Sequence, residues 1–232
     1  MVFLIAELGV NWDGNFDLLE KMASKSKQVG FDAVKLQSFN EQIIKQSPIR
    51  ERLIKSSVLS SNIQEISDIM KKIGIEWFCT PMFDQAVTIL DPYLKRFKIR
   101  ELDARNLEKK NSLPILDLIL EKNKEVIISS QTLPKKSKYF KHEKIKWLYC
   151  IPKYPCKIEE YDFNKLEEFD GLSNHCLDKK AVLNAVKHNA NIIELHVTYN
   201  KKEDYIDNNV SFDFEECENM IKEIRDFSEN IE

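Results

Sequence analysis

Residues 188–198 read His-Asn-Ala-Asn-Ile-Ile-Glu-Leu-His-Val-Thr, a polar turn running into a β-branched strand. Three other stretches repeat the junction: Gln-Val-Gly-Phe-Asp-Ala-Val-Lys (28–35), Lys-Ile-Gly-Ile-Glu-Trp-Phe-Cys (72–79) and Lys-Asn-Lys-Glu-Val-Ile-Ile-Ser (122–129). Each is a helix tail, a small or polar turn and a strand, which is the mark of βα repetition. Alternate side chains of a strand share a face, so Glu194, His196 and Thr198 point one way and Ile193, Leu195 and Val197 the other. One face is oily and the other chemically active.

Working outward from these junctions places strands near 3–7, 32–37, 75–80, 96–100, 125–130, 146–150, 170–175 and 192–197. Amphipathic helices are expected near 16–29, 62–73, 84–94, 112–122, 161–169, 178–189 and 212–228. Eight strands alternating with seven or eight helices predict the α/β class and a (β/α)8 TIM barrel rather than an open doubly wound sheet. Two irregularities make it a somewhat reduced barrel. Segment 40–61, with Pro48 and its serine runs, reads as a long loop, and 131–145 is too short and too rich in Lys for a full fifth helix. No Gly/Ser linker or low-complexity tract divides the 232 residues, so a single domain over 1–232 is expected.

The hydrophobic fraction of 43% suffices for a core, and the 31% of charged residues nearly cancel to a net charge of −3. That balance argues against nucleic acid or an acidic membrane as partner and for a small soluble ligand. The opening Met-Val-Phe-Leu-Ile-Ala is too short for a span, has no basic flank and meets Glu7 at once, so a cytoplasmic protein is expected. Five cysteines, odd in number and without Cys-x-x-Cys spacing, read as reduced, core-filling thiols.

In such a barrel the active site lies at the C-terminal ends of the strands. Four i, i+2 pairs gather there: Lys35 with Gln37, Lys98 with Arg100, Ser173 with His175, and Glu194 with His196. A single pair reads most simply as a structural salt bridge or a satisfied polar group; four in register point to a polar ring around the mouth. The chain prefers Lys to Arg, and its arginines are Arg50, Arg52, Arg96, Arg100, Arg105 and Arg225. All but the last fall in or beside segments assigned to the upper face, and the guanidinium fork suits carboxylate or phosphate, so an anionic ligand is expected. For Arg96 and Arg225, helix capping or surface pairing is the simpler reading. His175 and His196, on adjacent strands about 5 Å apart, suit a divalent ion that also keeps oxygen ligands, with hydrogen-bonded core histidines as the competing reading.

The chain resembles the sialic acid synthases, from residue 4 to about 222. The likeness is carried by Ile-Ala-Glu-Leu-Gly-Val-Asn (5–11), Gly14, Asp-Ala-Val-Lys-Leu-Gln (32–37), Cys-Thr-Pro (79–81) with Asp84, Phe-Lys-Ile (97–99), Lys-Tyr-Pro (153–155), Leu-Ser-Asn-His (172–175) and Glu-Leu-His-Val-Thr (194–198). The resemblance implies a barrel that condenses phosphoenolpyruvate with an aldose, N-acetylmannosamine or a related amino sugar, to a 2-keto sugar acid and phosphate. It implies a divalent ion on His175 and His196, Mn²⁺ first, with Mg²⁺, Co²⁺ or Zn²⁺ as alternatives, acting as a Lewis acid on the sugar aldehyde. Lys35 and Lys98, with Thr80 and Ser173, would hold phosphate and carboxylate. Glu7, Asp103 and Glu194 would steer protons or water. Asn11, Gln37, Arg100, Arg105 and Tyr154 complete the expected substrate contacts.

The sequence also departs from that pattern. Trp12 stands where the family usually has His, which is expected to alter the sugar side of the pocket. Pro152 replaces a polar phosphate ligand. The run Lys98-Ile99-Arg100-Glu101-Leu102-Asp103 replaces a small residue, Ser and an acid; alternation puts Arg100 beside Lys98, turns Glu101 away and leaves Asp103 as a competing ion-pair partner. Relatives usually carry a small antifreeze-like domain after the barrel, whereas this chain ends just after the eighth helix. A homodimer, or a separate lid-domain protein, is the expected partner. The second reading of the whole is a catalytically reduced barrel that binds an anionic metabolite or serves a larger assembly.

Overall fold

The computed structural model describes residues 1–105, 107 and 112–229, with 228 and 229 by backbone alone. Strand β1 (Phe3–Gly9) leads to helix α1 (Phe16–Val29). Asn15 starts that helix by accepting a hydrogen bond from the Leu18 N–H, and Gly30 ends it in the left-handed region at φ 104°. Next come β2 (Ala33–Ser38), the short α2 (Glu41–Ile44) and α3 (Arg50–Lys55), α4 (Ile63–Ile73), β3 (Glu76–Pro81) and α5 (Asp84–Leu90). They are followed by β4 (Arg96–Ile99), α6 (Glu101–Ala104), α7 (Pro114–Glu121), β5 (Glu125–Ser130) and β6 (Ile145–Cys150). The chain closes with β7 (Gly171–Asn174), α8 (Lys179–Lys187), β8 (Ile192–Thr198), β9 (Phe212–Asp213) and α9 (Phe214–Glu229).

Strands β1 to β8 pair in sequence order, all parallel, and β8 pairs back onto β1, so the sheet closes into the expected barrel. The closing register sets Glu7 beside His196 and Ile5 beside Glu194. Alternation then sorts the side chains. One face of each strand joins the large apolar shell beneath the helices, which includes Leu4, Leu36, Trp77, Ile128 and Leu195. The other face fills the barrel, where Ile5, Ala33, Phe78, Ile127, Leu148 and Ile192 form a small plug. Gly171 is required at this level, since a Cβ there would lie 1.8 Å from the Ile192 carbonyl oxygen.

Three helical expectations need correction. Segment 40–61 contains α2 and α3 rather than loop alone, because Asn40 caps α2 by accepting the Ile43 N–H at 3.1 Å. Helix α5 stops at Leu90 and not at 94, where Pro92 disfavours helix at the residue before it. Segment 161–169 is a 3-10 helix over Phe163–Glu168. A 3-10 helix rises about 2.0 Å per residue against 1.5 Å in an α-helix, so a short connector reaches the next strand with fewer residues. The lysine-rich 131–145 carries only a 3-10 turn, Pro134–Lys136, as its length and composition suggested. Among the described residues no helix is long and apolar enough to cross a membrane, and all five cysteines are free and buried.

Candidate active site

The C-terminal ends of the strands enclose a cavity of about 400 Å³. Its floor is built from charge. Lys35 of β2 and Lys98 of β4 are almost completely buried, as are Glu7 of β1 and Glu194 of β8. Lys98 Nζ donates to Glu194 Oε1 at 3.0 Å and to Ser129 Oγ at 2.7 Å. Ser173 Oγ donates to the same Glu194 oxygen at 2.9 Å, and Lys35 Nζ lies 3.9 Å from it. Lys35 also pairs with Glu7 Oε1 at 2.8 Å and reaches Thr80 Oγ1 at 3.4 Å; Gln37 Nε2 donates to Glu7 Oε1 at 2.8 Å. Seven strands thus aim polar groups into one floor, because strand parity puts each on the inner face above the apolar plug.

Burial and pairing pull these groups in opposite directions. Burial pushes the Glu194 carboxyl up, but Lys35 and Lys98 together draw it down to about 2. Burial lowers Lys35 too, yet Glu194 and Glu7 raise it above the ordinary lysine value. Lys98 ends lower than usual, through burial first and also through Lys35. Glu194 is therefore a carboxylate near pH 7 and the shared partner of both lysines. One oxygen of each carboxylate, Glu7 Oε2 and Glu194 Oε2, is buried without a hydrogen-bond partner among the described residues. Buried polar atoms are rarely left so.

The wall above the floor carries two imidazoles. His175, just past β7, and His196 of β8 have ring centroids 5.3 Å apart, and the Tyr154 ring covers His175 at 4.0 Å and meets His196 edge-on at 5.7 Å. His175 Nδ1 stands 2.8 Å from the Ile151 carbonyl oxygen, which can only accept, so Nδ1 carries the proton and Nε2 keeps its lone pair. Burial and the neighbouring His196 hold the His175 ring down at about 3, hence neutral near pH 7. His196 Nδ1 is buried without a hydrogen bond, 3.6 Å from Asp207 Oδ2. Two adjacent buried imidazoles are a fitting pair of metal donors, although no group of three or more His, Cys, Asp or Glu side chains among the described residues could hold an ion. Any ion here would take its remaining ligands from substrate or water. Cys150 also lines the cavity, but burial pushes its thiol up to about 12, which excludes it as a ready nucleophile.

Other expected residues fall elsewhere. The Asn11 side chain donates to the Val197 carbonyl at 2.9 Å and to Ser211 Oγ at 3.1 Å and accepts from the Asp207 N–H at 2.7 Å, so its polar groups tie loops together beneath the rim. Trp12 is fully buried in the apolar shell against Phe16 and does not line the cavity, which corrects its expected place on the sugar side. Pro152 does line it. The strand ends at Ile99, so parity fails beyond it: Glu101 turns inward onto the cavity and Asp103 does not line it. Arg100 and Arg105 both face the mouth, but their forks are taken by carboxylates of the same short helix. Arg100 Nε donates to Asp103 at 2.6 Å, and Arg105 Nε to Glu101 at 2.9 Å. Arg96 begins β4 at the opposite end, with Glu76 at 2.7 Å and Glu125 at 3.4 Å, which corrects its placement on the upper face. Arg50 lies outside the cavity, and Arg52 joins Asp13 to Asp204 at the rim.

Sequence reasoning passed over Ser129 and Asp207 and turned Glu101 away from the cavity that it lines. Ser129 was legible, since it ends a strand at the parity of Ile127. Asp207 carried no local signal, as it sits in the connection after β8.

A parallel (β/α)8 barrel with buried Lys–Glu pairs and an imidazole pair at its C-terminal end has the form of an enzyme active site. The NeuB family profile matches residues 22–232, and the chain belongs to that family. It is 30% identical to an uncharacterised protein of Methanocaldococcus jannaschii, over 96% of this chain and 70% of that protein. It is 27% identical to the pseudaminic acid synthase of Campylobacter jejuni, over 97% and 73% respectively. In fold it is similar to the crystal structure of N-acetylneuraminic acid synthetase from Leptospira borgpetersenii in complex with citrate, with a TM-score of 0.87, 21% identity and coverage of 99% of this chain and 85% of that one.

Proposed function

We propose that the protein condenses phosphoenolpyruvate with an aldose, an N-acetylated amino sugar, to give a 2-keto sugar acid and inorganic phosphate. The observation that carries this reading is the convergence of two buried lysines on one carboxylate directly under an imidazole pair. Family membership and the sugar-acid synthases among the relatives support it.

Lys35 and Lys98 hold the phosphate and carboxylate of phosphoenolpyruvate, assisted by the hydroxyls of Thr80 and Ser173, and stabilise the charge that develops as C3 attacks the sugar aldehyde. His175 and His196 would hold a divalent ion, Mn²⁺ first among the candidates, which would supply Lewis acidity towards the sugar aldehyde. Water then adds to C2, and loss of phosphate leaves the ketone. Glu7 and Glu194 have the unpartnered oxygens suited to orient that water and carry its proton. Asp103 lies off the cavity and holds Arg100, so it acts through that arginine. Tyr154 and Gln37 line the sugar side.

The test is phosphate release from phosphoenolpyruvate across an aldehyde panel that includes N-acetylmannosamine, with divalent ions varied and the product identified by mass. Release that depends on the sugar, with a product containing both carbon skeletons, is the expected result. Tight binding of phosphoenolpyruvate with no turnover on any sugar would favour the alternative, a barrel that only binds an anionic metabolite.

A further inference from the structure

Behind the His175 wall lies a pair of thiols that the reaction does not use. Cys156, in the segment after β6, forms an isolated parallel bridge with Cys176, which follows β7. The Cys156 N–H donates to the His175 carbonyl at 3.1 Å. Bridged residues on parallel segments point their Cβ atoms to the same side, and such segments lie about 4.8 Å apart. That is within the Cα separation of roughly 4.4–6.8 Å that a disulfide requires. Cys156 Sγ donates to the Tyr161 hydroxyl at 3.3 Å. Both are free, both are buried, and neither lines the cavity.

Their position gives the pair a consequence. Tyr154, which covers His175, stands two residues before Cys156, and His175 immediately precedes Cys176. A bond between the two sulfurs would therefore join the cover to the strand end that it covers.

We propose that Cys156 and Cys176 are a reversible oxidation site whose disulfide staples the Tyr154 segment across His175 and His196. Hydrogen peroxide is a sufficient oxidant. One sulfur attacks a peroxide oxygen, giving a sulfenic acid and one water; the second sulfur displaces the hydroxyl as a second water while the S–S bond forms. Overall, two thiols and one peroxide give one disulfide and two waters, and an external dithiol restores the thiols by exchange. Burial pushes both thiols above their ordinary range, so the reaction is slow compared with that of an exposed low-pKa thiol.

The experiment treats the full folded chain with hydrogen peroxide, alkylates remaining thiols, and reads intact mass, peptide map and backbone hydrogen exchange. The expected product has lost two hydrogens, links the Cys156 and Cys176 peptides and is reversed by dithiothreitol. It forms normally in Cys79→Ser and Cys217→Ser and is absent from Cys156→Ser and Cys176→Ser. Oxidation should slow exchange across residues 152–158 and raise the melting temperature by about 5 °C. A cross-link through Cys150, separate sulfinic acids, or a link that forms only in urea would overturn the assignment. Formation of the link with unchanged exchange over 152–158 would overturn the staple.

Discussion

Two lysines and two arginines face the same cavity, and they are held in opposite ways. Lys35 and Lys98 are fully buried and take their partners from other strands, Glu7 and Glu194, far away in sequence. Arg100 and Arg105 are partly exposed and pair three or four residues along within their own turn, with Asp103 and Glu101. The floor is thus a product of barrel closure, while the rim is a local helical arrangement. Buried charges strand their partners when removed, whereas exposed i, i+3 and i, i+4 pairs contribute a few tenths of a kcal/mol. Cations of one sign in one cavity should therefore respond very differently to mutation.

The sharpest way to break that contrast is Lys98→Met. It leaves Glu194 buried with Lys35 at 3.9 Å as its remaining cation, and urea denaturation should show a loss of about 3–5 kcal/mol. A loss below about 1 kcal/mol would mean that the floor is no more demanding than the rim. On the wall, His175→Ala and His196→Ala should each weaken divalent-ion binding at least about a hundredfold by calorimetry, and impair turnover, with the barrel still folded. Retention of full ion affinity in either variant would remove the imidazole pair from the site.

Lys35→Ala removes one charge-assisted contact from the expected anion position. Phosphoenolpyruvate affinity should fall by about 1.5–3 kcal/mol, about tenfold to a hundredfold, read as a lost thermal shift. The smallest effect is expected at the rim. Arg100→Lys keeps the charge and loses the fork that Asp103 occupies, so stability should change by less than about 0.5 kcal/mol and phosphoenolpyruvate binding should persist. Binding weakened tenfold at unchanged stability would instead show that Arg100 leaves Asp103 for the ligand, and the line between floor and rim would need redrawing.

The same division separates what could be read beforehand from what could not. The strand period of two is a local property, so the inward direction of Lys35, Lys98, Ser173, Glu194 and His196 followed from the quoted stretches, and Ser129 could have been added by the same rule. Parity had no authority past Ile99, where the chain turns into α6; Glu101 therefore entered the cavity against expectation, and Asp103 turned to Arg100. Trp12 shows the complementary failure. Its position in the sequence pattern suggested a pocket residue, but the indole is buried in the apolar shell against Phe16.

By itself, then, the sequence determined the eight strands, their order and the polar face of each, because turn chemistry and side-chain periodicity act over a few residues. Only the closed barrel decided which charges meet. The register that puts Glu7 beside His196, and the approach of Lys35 and Lys98 to a single Glu194 oxygen, depend on β8 returning to β1. That return is a long-range packing result: Gly171 admits the Ile192 backbone, the apolar plug fills the barrel beneath, and the charges above it are buried in direct contact with one another.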